Sequence, residues 1–236
     1  MIEIIQYSGE KKNEWDQLVK RSKNGTFLHL RDYMDYHSER FTDHSLLIYR
    51  KTKLVAVIAG NINDQIYYTH QGLSYGGLIM TSKLSQIDVL RIFEAKNEAL
   101  KTMNITKVIY KPIPYIYHTQ PSQEDLYALF KNKVKAIACN VSSTIDLTNK
   151  ISFIESRKSG VRKAIKNNIK IEEANNFDEF WTILNSNLEN KYQQKPVHSL
   201  DEIIYLNKNF PDNIKLYCAN YNDKIIAGTI LFITQK

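Results

Sequence analysis

The chain has 236 residues, with 32 basic and 25 acidic side chains, a formal charge of +7 and 43% hydrophobic content. That is ordinary globular chemistry, enough for one large domain or two small ones, and it excludes a disordered or fibrous polymer. Cys139 and Cys218 cannot build a disulfide scaffold, no Cys/His spacing suits zinc, and no apolar run approaches the roughly 18 residues that span a bilayer, so a cytoplasmic protein with no metal and no membrane span is expected.

Ile2 to Tyr7 alternates as a strand rather than a charged leader, and Asn13 to Ser22 reads as a helix burying Trp15, Leu18 and Val19. A short helix is expected from about Leu30 to Phe41. Ser45 to Tyr49 and Leu54 to Ala59 are apolar runs joined by Arg50-Lys51-Thr52-Lys53, a hairpin with a polar turn. Gln65 to Thr69 is a further strand, followed by the glycine-bearing stretch Gln71 to Gly77. Leu84 to Met103 is the clearest helix, with Ile87, Leu90, Phe93 and Leu100 assigned to one face. Ile105 to Tyr110 is a strand, Gln123 to Asn132 a helix, and Ala136 to Leu147 the expected last strand of this half. Beyond it, Asp178 to Asn190 and Leu200 to Asn209 are helices, the second opened by a Ser199/Glu202 capping box, and Ile214 to Ala219 and Ile225 to Ile233 form another hairpin.

The two hairpins match in order and type, Leu46-Leu47-Ile48-Tyr49 with Ile214-Lys215-Leu216-Tyr217, and each follows a helix carrying a tryptophan, Trp15 or Trp181. A duplicated α/β unit is the reading, with a mixed twisted sheet flanked by helices in each copy. The first unit is placed at residues 1–150 and the second, a basic linker helix plus a partial copy, at 151–236. The second is expected to be incomplete, its sheet continued beyond Lys236 or completed by another molecule, such as a second copy in a homodimer, because a long apolar edge strand invites pairing.

Charge is concentrated in one place. Arg157, Lys158, Arg162, Lys163, Lys166 and Lys170 occur between Ser156 and Lys170 with no acidic residue among them. The segment reads as one helix or two half-helices; like charges at helical spacing disfavour an isolated helix, and Gly160 in the middle would let a second half-helix begin there with free N–H groups for a phosphate, so an anionic partner is one reading and a solvated linker the other. Gly76 and Gly77 after Tyr75 suit either close approach to a ligand or a turn, and they match neither a P-loop nor a dinucleotide fingerprint. Tyr115, Tyr117 and His118 gather at a predicted strand end, where ligands bind in open α/β sheets. His118, Tyr117 and His198 are the weak catalytic candidates, each with a structural alternative, and no nucleophile, triad or paired carboxylate is visible.

Five stretches together, Pro112 to His118, Glu124 to Phe130, Ser74 to Leu78, Ser156 to Ala164 and Lys195 to Ser199, resemble the Fem-type (FemAB-like) branch of the GNAT acyltransferase superfamily. The resemblance spans nearly the whole chain and implies tandem GNAT-like halves. It implies a transferase that moves an acyl or aminoacyl group from acetyl-CoA, another acyl-CoA or aminoacyl-tRNA to an amine, in cell-envelope biosynthesis or on an amino-sugar precursor. It also implies a small-molecule or nucleotide-linked acceptor contacted by Arg31, Tyr75, Gly76, Gly77, Arg157, Lys158, Arg162, Lys163 and Tyr192. The loop Gln71 to Gly77 departs from the family's Arg/Gln-x-x-Gly-x-Gly/Ala pattern, and the second half has no counterpart of it. A non-catalytic binding or pairing module and a tRNA-binding protein using residues 156–170 stand as the alternatives.

Overall fold

The computed structural model describes residues 1–234. The chain forms two compact units, Met1–Val134 and Lys135–Ile233.

In the first unit, β1 (Ile2–Gln6) leads through α1 (Lys12–Arg21), the single-turn α2 (Arg31–Met34) and β2 (Thr42–Asp43) to the hairpin β3 (Leu46–Arg50) and β4 (Lys53–Ile58). The strands β5 (Asn61–Asn63), β6 (Ile66–Tyr68) and β7 (Leu78–Met80) follow, then α3 (Gln86–Thr102), β8 (Lys107–Ile109) and α4 (Glu124–Lys131). One sheet has the order β1-β3-β4-β7 and is antiparallel; the other has the order β2-β5-β6-β8, with β6 and β8 parallel. β3 and β4 are buried along almost their whole length, which is why they read as continuous apolar runs rather than alternating ones. Trp15 is fully buried and donates its indole N–H to the His29 carbonyl at 2.7 Å.

α3 starts at a Ser85/Asp88 capping box and buries Val89, Ile92, Phe93, Lys96 and Leu100. That stripe corrects the expected face. Ile87 is 61% exposed, because six residues of helix at 3.6 per turn put it about 120° around from Phe93. Lys96, alone among these core positions in carrying a charge, has its ammonium pulled down to about 8 by burial and bonds the Asn97 side chain at 2.8 Å.

The second unit consists of α5 (Glu155–Lys166), β9 (Lys170–Ala174), α6 (Phe177–Tyr192), α7 (Leu200–Asn209), β10 (Ile214–Tyr221) and β11 (Lys224–Phe232), with an antiparallel sheet of order β9-β10-β11. Its core is Phe177, Phe180, Trp181, Ile203, Leu206, Ile214, Leu216 and Cys218. The expected Ser199/Glu202 capping box is present at α7.

Apart from the two-residue β2 in the first, both units run strand, helix, helix, hairpin. β9 pairs with β10 as β1 pairs with β3, antiparallel, and each hairpin carries one register shift, at Ile48/Tyr49 and at Ala219/Asn220. The mixed α/β duplication read from the sequence is therefore the observed topology, with β9 its counterpart of β1. The expected strand Ala136 to Leu147 is a correction: residues 135–154 hold no helix or strand and are exposed throughout. A strand needs a neighbour to take its N–H and C=O groups, and none lies beside this segment among the described residues.

Candidate functional site

The strands β6 and β8 pair as Ile66 with Lys107, Tyr67 with Val108 and Tyr68 with Ile109. Past their ends the two chains stay tied: Thr69 N–H donates to Ile109 O at 3.0 Å, Lys111 N–H to Thr69 Oγ1 at 2.8 Å, and Gly76 N–H to Lys111 O at 3.1 Å. Loops at the carboxyl ends of parallel strands are where such folds place ligands. Here they hold a closely built polar cluster.

Gly76 is required by backbone, since a Cβ there would stand 1.9 Å from the Thr69 carbonyl oxygen. Gly77 has φ +87°, and a Cβ would meet the Tyr110 hydroxyl at 2.6 Å. That hydroxyl accepts from Leu78 N–H and donates to Asp125 Oδ2, both at 2.7 Å. One phenol thus joins the glycine loop, the end of β8 and α4. Burial pushes the Asp125 carboxyl up, and the bond from Tyr110 pulls against that rise.

Residues Tyr115–Tyr117 form a single 3-10 turn. Tyr117 stacks on Tyr75 at 4.7 Å between ring centres, 25° from parallel, and the buried Tyr75 hydroxyl donates to Thr26 Oγ1 at 3.3 Å. Burial pushes the Tyr75 phenol up to about 12, so it is a neutral donor at physiological pH. His118 is buried with Nε2 3.1 Å from the Ile113 carbonyl oxygen. Thr119 N–H donates to Lys23 O at 2.8 Å, and Lys23, 5% exposed, forms an ion pair with Glu124 Oε1. Beside this pair lies a groove of about 610 Å³ lined by Gln86, Tyr115, His118, Ser122, Gln123 and Glu124, among others.

Arg31 lies deeper in the same unit. Its guanidinium pairs with Asp35 and Asp43, donates to Ser45 Oγ at 3.2 Å, and lies 3.9 Å over the Tyr7 ring. Burial works against its charge and the two carboxylates more than offset that, so the cation is kept. Asp43 is held below the usual carboxylate range: burial would raise it, but Arg31 and the Ser45 hydrogen bonds outweigh burial. Full burial drives the His29 imidazole down to about 4, against the bonds at Tyr75 and Thr26, and so keeps it neutral.

Tyr75, Gly76, Gly77, Tyr117 and His118 thus meet around one strand end. Among the other sequence candidates, Arg157, Lys158, Arg162, Lys163, Tyr192 and His198 belong to the second unit. α5 is one continuous helix with no buried residue and with Gly160 in its interior, the first of the two alternatives, rather than two half-helices meeting at that glycine. Arg162 pairs with Glu155 across two turns of α5. Tyr192 is 63% exposed at the end of α6, and His198 stacks with Phe232 at 6.4 Å. Lys23, Tyr110, Ser122, Glu124 and Asp125 were not singled out as site residues by sequence. The Pro121-Ser122-Gln123 approach to a helix was the available signal, because a serine there reads as a cap.

The acyl-CoA reading needs backbone N–H groups free to take a pyrophosphate. In this loop Gln71 N–H goes to Asn61 Oδ1 at 2.9 Å, Gly72 N–H to His70 Nδ1 at 3.1 Å, Leu73 N–H to His70 O at 3.3 Å, Gly76 N–H to Lys111 O and Leu78 N–H to Tyr110. Within residues 71–77 four N–H groups are thus spent, while those of Ser74, Tyr75 and Gly77 have no hydrogen-bond partner among the described residues. Among the described residues no set of three or more His, Cys, Asp or Glu side chains could hold a metal ion, and no helix is long and apolar enough to cross a membrane.

No family model and no curated protein matches the chain in sequence. Among solved structures it is similar to FemX, with a TM-score of 0.56 and 13% identity over 92% of this chain and 57% of that one, so it spans little more than half of FemX. Two other structures are similar at a lower level. One is an aminoglycoside acetyltransferase from an uncultured soil metagenomic sample, solved with sisomicin, at TM-score 0.33 and 14% identity over 63% of this chain and 97% of that one. The other is a GCN5-related glucosamine N-acetyltransferase region of a fungal multi-domain β-N-acetylglucosaminidase, at TM-score 0.40 and 12% identity over 97% of this chain and 27% of that one. A shared fold with FemX follows from the first alone.

Proposed function

We propose that the chain is a Fem-type N-acyltransferase, or the part of one given by these residues, which transfers an acyl or aminoacyl group to the amine of a cell-envelope or amino-sugar precursor in the cytoplasm. The observation that carries the reading is the FemX-like fold over 92% of the chain. The strand-end cluster of Tyr75, Tyr117 and His118 supplies the acceptor end of the site in this reading. Positioning and proton removal are what acyl transfer to an amine asks of a protein without a covalent intermediate. An acyl-CoA or aminoacyl-tRNA is the donor in this reading, and for the tRNA the exposed Arg157, Lys158, Arg162 and Lys163 of α5 would be the phosphate contacts.

The test is transfer of radiolabelled alanine, serine and glycine from charged tRNA, beside thiol release from a panel of acyl-CoA donors, onto amine acceptors. Transfer from tRNA that falls with salt and with the four-fold glutamine variant of α5 supports the reading. Absence of transfer from every donor removes it. A non-catalytic pairing module is the second reading, favoured by the departure of Gln71 to Gly77 from the family's glycine pattern, and a chain that binds acceptors yet turns over no donor would establish it.

A further inference from the structure

α5 is a charged helix that buries none of its residues. It carries Arg157, Lys158, Arg162, Lys163 and Lys166 against one carboxylate, Glu155. Lys158, Arg162 and Lys166 recur at four-residue spacing, where like charges repel. A helix of 12 residues is marginal in water even without that repulsion, so α5 calls for a stabilising partner outside its own unit. Its apolar side chains face outward too. Ile154 at the N-cap, Val161 and Ile165 are each more than half exposed, and so are Ile151 and Phe153 just before the helix. Exposed apolar residues gathered in this way mark an interaction surface. From these observations we infer that residues 151–166 dock on the surface of an anionic lipid bilayer.

The placement of the side chains decides the kind of partner. At 3.6 residues per turn Ile154, Val161 and Ile165 fall within about 40° of one another around the helix, and Arg157 and Lys158 stand on either side of that stripe. An apolar stripe edged by long cations is what a helix lying in a membrane interface needs: the aliphatic groups enter the acyl boundary, while the charged ends reach back to the lipid phosphates. A nucleic acid would take the cations alone. Ile154, Val161 and Ile165 offer no ring on which a base could stack, and they would stay in water. A groove in a partner protein would accept the stripe, but such grooves read anchors on a helix, whereas Ile151 and Phe153 extend the apolar surface into a segment that holds no helix. A bilayer surface takes both parts.

Membrane docking stands on residues 151–166 alone and goes beyond the transferase reading. Arg157 and Lys158 serve lipid phosphates or tRNA phosphates by the same chemistry, so the two guests compete for them. The aliphatic stripe separates the two, because only the bilayer uses it. Salt weakens both guests, and so salt dependence by itself does not tell them apart.

The experiment is co-sedimentation of the whole chain with vesicles of phosphatidylcholine alone and of phosphatidylcholine and phosphatidylglycerol in equal parts, with amide hydrogen exchange on the bound protein. Binding to the mixed vesicles about tenfold tighter than to the neutral ones is expected, with protection gained at residues 151–166. Val161→Ala with Ile165→Ala should weaken binding to the mixed vesicles about tenfold and leave any tRNA affinity unchanged, whereas Arg157→Gln with Lys158→Gln should weaken both. All four side chains are exposed and alanine favours a helix, so an unchanged melting temperature and circular dichroism spectrum will show the fold intact. Equal binding to the two vesicles, binding to neither, protection elsewhere, or mixed-vesicle binding that survives the alanine variant would each overturn the inference. Vesicle binding without acyl transfer would sink only the transferase reading, and transfer without vesicle binding would sink only this one.

Discussion

Tyr110→Phe isolates the phenol that joins the glycine loop to α4. The ring is retained, with its packing against Phe93 at 5.8 Å, while the hydroxyl that accepts from Leu78 N–H and donates to Asp125 is lost. Leu78 is fully buried and Asp125 is 5% exposed, so water does not replace either bond without opening the structure. Each group left unsatisfied costs about 1–3 kcal/mol, which gives about 2–6 kcal/mol in total and a melting temperature lower by on the order of 10 °C. Calorimetry on the variant and the parent measures this directly.

The pH dependence of the deficit is the sharper half of the test. Burial already raises the Asp125 carboxyl, and removing the Tyr110 donor raises it further. A raised acid contributes stability that is present below its unfolded value of about 3.9 and is lost as pH climbs through its folded value. The variant's deficit must therefore grow from acid toward neutral pH. A deficit under about 1 kcal/mol at neutral pH, or one that stays flat across the acid range, would show that the phenol does not hold the carboxylate.

Three further outcomes follow from the same physics. Arg31→Met strands two carboxylates and should cost about 3–5 kcal/mol in urea unfolding, partly restored by adding Asp43→Asn; the lowered Asp43 contributes stability above its unfolded value that vanishes as pH falls through the folded one, and this acid sensitivity should be absent from the double variant. His29, held neutral down to about 4, should cost about 3 kcal/mol of stability as pH falls from about 6.5 to 4, and its ring protons should titrate near 4 by NMR rather than near an ordinary histidine value. Gly76→Ala should yield little folded protein because its Cβ meets backbone, whereas Gly160→Ala, with nothing within 4 Å, should slow amide exchange within α5 several-fold and leave the melting temperature unchanged.

The duplication was legible because two hairpins preserve their apolar order and each follows a buried tryptophan, features that depend on local pattern. β9 was not legible: Lys170-Ile171-Glu172-Glu173-Ala174 reads as the end of a basic run, and only pairing with β10 makes it a strand. The reverse failure is Ala136 to Leu147, where an apolar-rich pattern has no partner strand. Among site residues, the Tyr75, Tyr117 and His118 cluster was found because chemistry-bearing residues at a strand end are visible in order. Lys23 and Glu124 were missed because they stand 101 residues apart and meet only through the fold.

Arg31 and the α5 cations show why charge alone misleads. A guanidinium in a sequence is the same character whether it awaits a phosphate or is enclosed by Asp35, Asp43 and Ser45, and only its partners separate the two. The same holds for glycines 76 and 77, whose close backbone approach serves Thr69 and Tyr110. What distinguishes a ligand cradle from an internal turn is which N–H groups remain unspent. Applied to the glycine loop, that criterion counts the N–H groups of Gln71, Gly72, Leu73 and Gly76 as taken and leaves those of Ser74, Tyr75 and Gly77 without a partner among the described residues.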